Sequence, residues 1–146
     1  MEYEMYNEIM EQPISLKRTI ESEKEHLEQI SEEYSKFDKI YLIGCGSSIS
    51  TCYTIKDAIK TISTIDIDVQ TGYEFVDNQY LEKDSNVGVI LTSQSGETSD
   101  TLSALRKAKE NNIKTVAITN EKDSSMAKEA DEAVITLGGT ELAIIG

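Results

Sequence analysis

Apolar residues change their spacing along this chain, and the changes divide it into elements. Over residues 13–36 they fall at Leu16, Ile20, Leu27, Ile30 and Tyr34, with Phe37 just beyond, at steps of four, seven, three, four and three. That spacing lays one stripe along a helix whose outer face is heavily acidic. Pro13 suits the first helical turn, where its missing N–H would have no partner anyway. A shorter helix over about residues 3–10 is expected before it, with Gln12-Pro13 as the joint. At Lys39 the period changes. Residues 39–43 form a short β-rich run that ends in Gly44-Cys45-Gly46-Ser47-Ser48. Behind it a helix over about 49–62 carries Ile49, Cys52, Tyr53, Ile55, Ile59 and Ile62 largely on one side.

Residues 65–70 alternate apolar with polar, so this second strand has one less buried side and belongs near a sheet edge. Residues 73–76 read as a short helix or turn. Residues 87–92 are nearly continuous apolar, the mark of a strand buried on both faces at the centre of a sheet. Residues 98–111 are helical with Leu102, Leu105 and Ala108 inward. A fourth strand is expected over 114–119, a short helix over 124–130 and a fifth strand over 133–137. This alternation predicts an α/β fold: a doubly wound, flavodoxin-like parallel five-stranded sheet of order 2-1-3-4-5 behind a long N-terminal helix. Residues 1–37 form the helical lead-in and 38–146 the domain.

The end of the chain breaks the pattern. Leu142-Ala143-Ile144-Ile145-Gly146 is an apolar run with no helix behind it. The element after the last strand of such a fold normally covers a sheet face, so apolar surface is expected to lie open here. Three accounts stand: a chain shortened at its C-terminus, a cover supplied by another chain, or a frayed end.

Composition narrows the function. A chain of 146 residues with 38% hydrophobic content suits one domain with one substantial core. The net charge of −13, from 27 acidic and 14 basic residues, argues against nucleic acid and against an anionic membrane surface. No apolar run approaches the roughly 18 residues of a membrane span, and the acidic start Met1-Glu2-Tyr3-Glu4 is unlike a signal peptide, so a cytoplasmic protein is expected. Cys45 and Cys52 have no second pair beside them, which suggests reduced thiols in place of a zinc site or disulfide framework.

In a sheet of order 2-1-3-4-5, ligands bind beyond the C-terminal ends of the first and third strands, where the winding reverses. Both Gly/Ser-rich turns of this sequence follow those two strands. Each opens a helix, so backbone N–H groups and the positive ends of two helix dipoles should converge on one crevice. Ser47, Ser48, Ser93, Ser95 and Thr98 add hydroxyl donors, and Gln94 adds an amide that donates and accepts. Such a pocket suits a phosphate monoester. It is no P-loop, since neither turn holds Lys or Arg. The competing account is that Ser95 or Thr98 simply caps a helix; Glu97 fits the helix dipole better than catalysis.

Other constellations fail. Gln94-Ser95-Gly96 lacks the first glycine of the Gly-x-Ser-x-Gly elbow, and His26 lies between Glu25 and Glu28 on the acidic helix as a solvated residue, so no Ser-His-Asp hydrolase is indicated. Cys45 is expected to be a core thiol. Gly44-Cys45-Gly46 starts like a dinucleotide fingerprint, but Ile49 stands where its third glycine belongs. No catalytic residue, metal ligand or cofactor is assigned.

Gly44-Cys45-Gly46-Ser47-Ser48, Ser93-Gln94-Ser95-Gly96-Glu97-Thr98, Asn120 with Ser124-Ser125-Met126-Ala127, and Gly139-Thr140-Glu141 resemble the sugar isomerase (SIS) domain. The resemblance is strongest to the first half of the isomerase part of the glucosamine-6-phosphate synthase family, whose lead-in is similar to residues 5–20. It implies binding of a hexose 6-phosphate of the fructose 6-phosphate or glucosamine 6-phosphate class. It implies that Ser47, Ser93, Gln94, Ser95 and Thr98 hold phosphate and nearby sugar oxygens, that Ser48 lies near the sugar hydroxyls, and that Ile144 lines the sugar. In that family a glutaminase domain comes first, and a second SIS domain carries the groups that open the ring and move the proton. The chain is thus expected to be the N-terminal, binding half of an isomerase, deaminase or aminotransferase-like enzyme of amino-sugar metabolism, paired with a second copy or a second SIS domain. The alternatives are a non-catalytic module that senses sugar phosphates or serves as a scaffold and, more faintly, a flavodoxin-like nucleotide binder. Epimeric sugars differ by one hydroxyl, and the sequence does not choose among them.

Overall fold

The computed structural model describes residues 2–139. The elements run α1 (Glu2–Tyr34), β1 (Lys39–Gly44), α2 (Ser47–Lys60), β2 (Asp66–Gln70), α3 (Gly72–Asp77), β3 (Val87–Thr92), α4 (Ser99–Glu110), β4 (Lys114–Thr119), α5 (Ser125–Glu129) and β5 (Glu132–Ile135). The strands form one parallel sheet in the order β2-β1-β3-β4-β5, as their spacing in the sequence predicts. Register levels the strand ends: Gly44 lies opposite Thr92, Thr92 opposite Ile118, and Thr119 opposite Ile135. The segments after β1, β3, β4 and β5, which carry Gly46 to Ser48, Ser93 to Thr98, Asn120 and Gly138, therefore leave the sheet along one rim.

Each face of the sheet has its own core. On one, Tyr41, Ile43, Val89, Leu91 and Ala117 pack against Phe75 of α3, Leu102, Ala104, Leu105 and Ala108 of α4, and Met126 of α5. On the other, Ile40, Leu42, Val69, Val116 and Val134 meet Ile30 and Tyr34 of α1 and Cys52 of α2. Alternate residues of β1 and β3 thus serve opposite cores, which is why these two strands read as unbroken apolar runs. The 73–76 segment is helical because Thr71 caps it: the Glu74 N–H donates to Thr71 Oγ1, and the Thr71 N–H donates to Glu74 Oε2 in return.

Four expectations need correction. First, α1 is a single helix that runs through Pro13, with no joint at Gln12-Pro13. Proline there forgoes one bond to the Ile9 carbonyl, a loss that costs least along an exposed stretch open to solvent. Second, the stripe does not face the core along its length. Ile30 and Tyr34 are buried, whereas Leu16 is 62% and Ile20 58% exposed. A helix of 33 residues is about 50 Å long and a strand of six about 20 Å, so only the C-terminal turns of α1 lie on the sheet.

Third, His26 is not a free surface residue. Its Nδ1 lies 2.9 Å from Glu23 Oε2 and its Nε2 lies 3.0 Å from Glu132 Oε2, tying α1 to β5. Hydrogen bonds to these carboxylates raise its pKa above the ordinary imidazole value. Of the thiols, Cys52 is in the core and burial raises its pKa, but Cys45, expected to be buried, is exposed. No helix among the described residues is long and apolar enough to cross a membrane.

Candidate functional site

The β3–α4 turn takes its shape from Gly96, which holds φ +65°, a left-handed value that favours glycine. A Cβ there would lie 2.2 Å from Ser124 Oγ, so the turn is also pressed directly against the β4–α5 loop. Main-chain bonds fix that contact: the Met126 N–H donates to the Gly96 carbonyl, and the Asn120 N–H to the Gln94 carbonyl at 3.0 Å. Thr119 Oγ1 also donates to the Gln94 carbonyl. A turn braced at both ends by a neighbouring loop is preorganised, so a ligand need not pay to order it.

The hydroxyls of this turn divide by burial. Ser93 is 4% exposed and its Oγ accepts the Gly96 N–H at 3.2 Å. The same oxygen lies 2.9 Å from Thr98 Oγ1. When Ser93 gives its proton to Thr98, the Thr98 proton is left to point outward from the more exposed member of the pair. Ser93 is therefore placed to orient Thr98, where the sequence suggested an equal set of donors. Ser95 and Gln94 are exposed. Ser95 Oγ accepts the Glu97 N–H at 3.3 Å, which leaves its own proton uncommitted by that bond.

Thr98 stands at the N-cap of α4, yet its side chain makes no capping bond. The cap account, open for Thr98 on sequence grounds, does not describe it. Ser124 is a true cap, accepting the Ala127 N–H at the start of α5. Glu97 accepts the Ser125 N–H at 2.6 Å, and this bond holds its carboxyl below the ordinary range. That carboxylate braces the α5 start and is a poor proton donor at neutral pH.

Across the switch point, Gly46 at φ +57° starts α2, and Ser47 and Ser48 form its first turn. The Gly46 N-cap makes no side-chain capping bond. Gly44 permits the close approach: a Cβ on it would lie 2.9 Å from the Ile49 nitrogen. The N-termini of α2 and α4 thus flank the ends of β1 and β3, as strand order requires.

Ser47 and Gln94 line one crevice of about 320 Å³ together with Glu8 and Gln12 of α1, Asn120, Thr136, Gly138 and Gly139. This volume is at the small end of ligand pockets, roughly 300–1,000 Å³, and suits a small metabolite. Glu8, Gln12 and Thr136 carry no signal in the sequence, because nothing local reveals that the overhanging half of α1 passes over the strand ends. Asn120 does carry one, as a side chain able to donate and accept placed directly after a strand. Of the predicted site residues only Ser47 and Gln94 line this crevice; Ser48 follows Ser47 on α2, Ser93, Ser95 and Thr98 belong to the neighbouring turn without lining it, and Ile144 falls outside the described residues. Among those described, no group of three or more His, Cys, Asp or Glu is arranged to hold a metal ion.

A family model described as the SIS domain matches residues 33–145. The chain is similar to glutamine–fructose-6-phosphate aminotransferase (isomerizing) of Clostridium tetani, 36% identical over 149 residues that cover 96% of this chain and 24% of that protein. It is similar to the protein of the same name from Methanococcus maripaludis at 33% identity, covering 98% of this chain and 23% of the other. Among solved structures, the C-terminal domain of glucosamine-fructose-6-phosphate aminotransferase from Francisella tularensis matches with a TM-score of 0.80 at 30% identity, over 94% of this chain and 40% of that one. Glucosamine-6-phosphate deaminase from Thermotoga maritima matches at 0.75 and 26%, over 92% and 40%. The chain spans about a quarter of the length of the curated relatives it matches.

Proposed function

The chain belongs to the SIS domain family, and from that premise we propose that its crevice binds a phosphorylated hexose of the fructose 6-phosphate or glucosamine 6-phosphate class. One observation carries the proposal: the turn at residues 93–98 is braced from behind, while Thr98, at the mouth of α4, spends no hydroxyl on capping. Backbone N–H groups of two helix starts and the hydroxyls of Ser47, Ser95 and Thr98 then meet the phosphate, with Ser93 orienting Thr98. Gln94 and Ser48 are assigned to sugar oxygens, and Ile144 to the sugar, as the family resemblance implies. A neutral cradle of this kind binds a dianion through dipoles and hydrogen bonds, without a lysine.

In this proposal the chain is the binding half of an isomerase or aminotransferase-like enzyme, with residues 1–37 as lead-in and 38–146 as the SIS domain. Names of the similar proteins support that class of chemistry. In this reading the proton transfers of an aldose–ketose change fall to groups outside this chain; Glu97 is committed to Ser125 and His26 to two carboxylates. A second copy or a second SIS domain then covers the apolar surface of the lead-in helix. Titration with the two sugar phosphates beside fructose, glucosamine and a flavin nucleotide tests the reading. A sensing or scaffolding module would bind the same esters and show no turnover in the full-length protein.

A further inference from the structure

We propose that Asn120 is a positioning residue that sets the sugar-facing wall of the crevice independently of the turn that holds the phosphate; this rests on the sugar-phosphate reading above. Asn120 directly follows the last residue of β4, and its backbone is fastened to the phosphate turn through the Gln94 carbonyl. Its side chain points the other way, to the chain leaving β5. Oδ1 accepts the Gly138 N–H at 2.8 Å and the Thr136 hydroxyl at 3.3 Å, while Nδ2 donates to the Gly139 carbonyl at 2.7 Å and to Glu121 Oε1 at 3.3 Å. The orientation of the amide follows from its partners, since a backbone N–H needs an acceptor and a carbonyl needs a donor.

The reason for the bond pair is topological. β5 is the last strand of the sheet, and beyond Thr136, whose N–H still donates to the Thr119 carbonyl, the chain has lost its ladder on the β4 side because β4 has ended. One amide side chain, offering a donor and an acceptor, replaces a strand neighbour for Gly138 and Gly139. Those glycines line the crevice opposite Ser47, Gln94 and Gln12. Gly139 turns there at φ +72°, and a Cβ on Gly138 would come within 3.2 Å of Asn120 Oδ1. The wall is therefore bare backbone, and Asn120 is bonded both to it and to the phosphate turn.

None of the bonds that shape the turn passes through the Asn120 side chain: Ser93, Thr98, Gly96 and Thr119 supply them. Phosphate binding and sugar binding should then separate. The test measures dissociation constants for fructose 6-phosphate and for inorganic phosphate by NMR titration of the full chain, as wild type, Asn120→Ala and Asn120→Ser. Both variants are neutral and add no charge near an anion. In each, fructose 6-phosphate should weaken about tenfold, as loss of a bond worth about 1.4 kcal/mol requires, while inorganic phosphate should change less than about twofold. Ser95→Ala, as the contrast, should weaken both. Equal losses for the two ligands, or no loss for either, would overturn the role of Asn120. Should the alanine variant fail to give a dispersed spectrum, the serine variant carries the comparison. A wild-type chain that binds fructose 6-phosphate no better than inorganic phosphate would instead count against the sugar-phosphate reading itself.

Discussion

Gly96 is the residue on which the turn depends most. Left-handed backbone costs a non-glycine residue about 1–2 kcal/mol, and a Cβ would also strike Ser124 and Thr119. Gly96→Ala should lower unfolding stability by about 2 kcal/mol or more and abolish phosphate binding, as read by chemical denaturation and titration together. Ser95→Ala and Thr98→Ala should behave oppositely. Each should cost about 1.5–3 kcal/mol of sugar-phosphate affinity, the range for hydrogen bonds to a charged group, and leave the melting temperature unchanged. Lost stability at constant affinity would mean that these hydroxyls serve the fold. The position of the turn was legible in the sequence, because hydroxyls and a glycine cluster where an apolar run stops. The division of labour within it was not: Ser93 and Ser95 look alike until the fold buries one and leaves the other exposed.

Among the elements, α1 departs furthest from what its sequence implies. Strand positions and order followed from period changes and turn chemistry, since those are local or follow from a parallel sheet with crossovers. The fate of a helical stripe is not local. Heptad-like spacing from Leu16 to Tyr34 identifies a helix and an apolar side, but the length of the sheet decides how much of that side is covered. The same limit hid Gln12, which reaches the crevice only because α1 overhangs the strand ends.

The bond between α1 and β5 is open to a pH test. His26 has a raised folded-state pKa, so protonated His26 stabilises the fold fully below its unfolded value, about 6.5, and this contribution is lost as pH rises through the folded value. The melting temperature of the wild type should exceed that of His26→Gln most at about pH 6 and converge with it by about pH 9. A difference that grows with pH would contradict the assignment.

At the scale of the molecule, an acidic chain exposes an apolar helix face. Tyr6, Ile9, Leu16 and Ile20, which share one side of α1, are each more than half exposed. Contiguous apolar surface of this kind marks contact with another protein surface. Sedimentation velocity should show concentration-dependent association at micromolar chain, weakened by Leu16→Glu or Ile20→Glu without loss of helicity; a monomer at every concentration would argue against it. Binding at the crevice is the central claim, and calorimetric titration of the chain with fructose 6-phosphate beside fructose tests it most directly. The ester should bind at least about tenfold more tightly than the parent sugar, a gain of about 1.4 kcal/mol or more, and Thr98→Ala should erase most of the difference. Equal affinity for the ester and the free sugar would contradict the account.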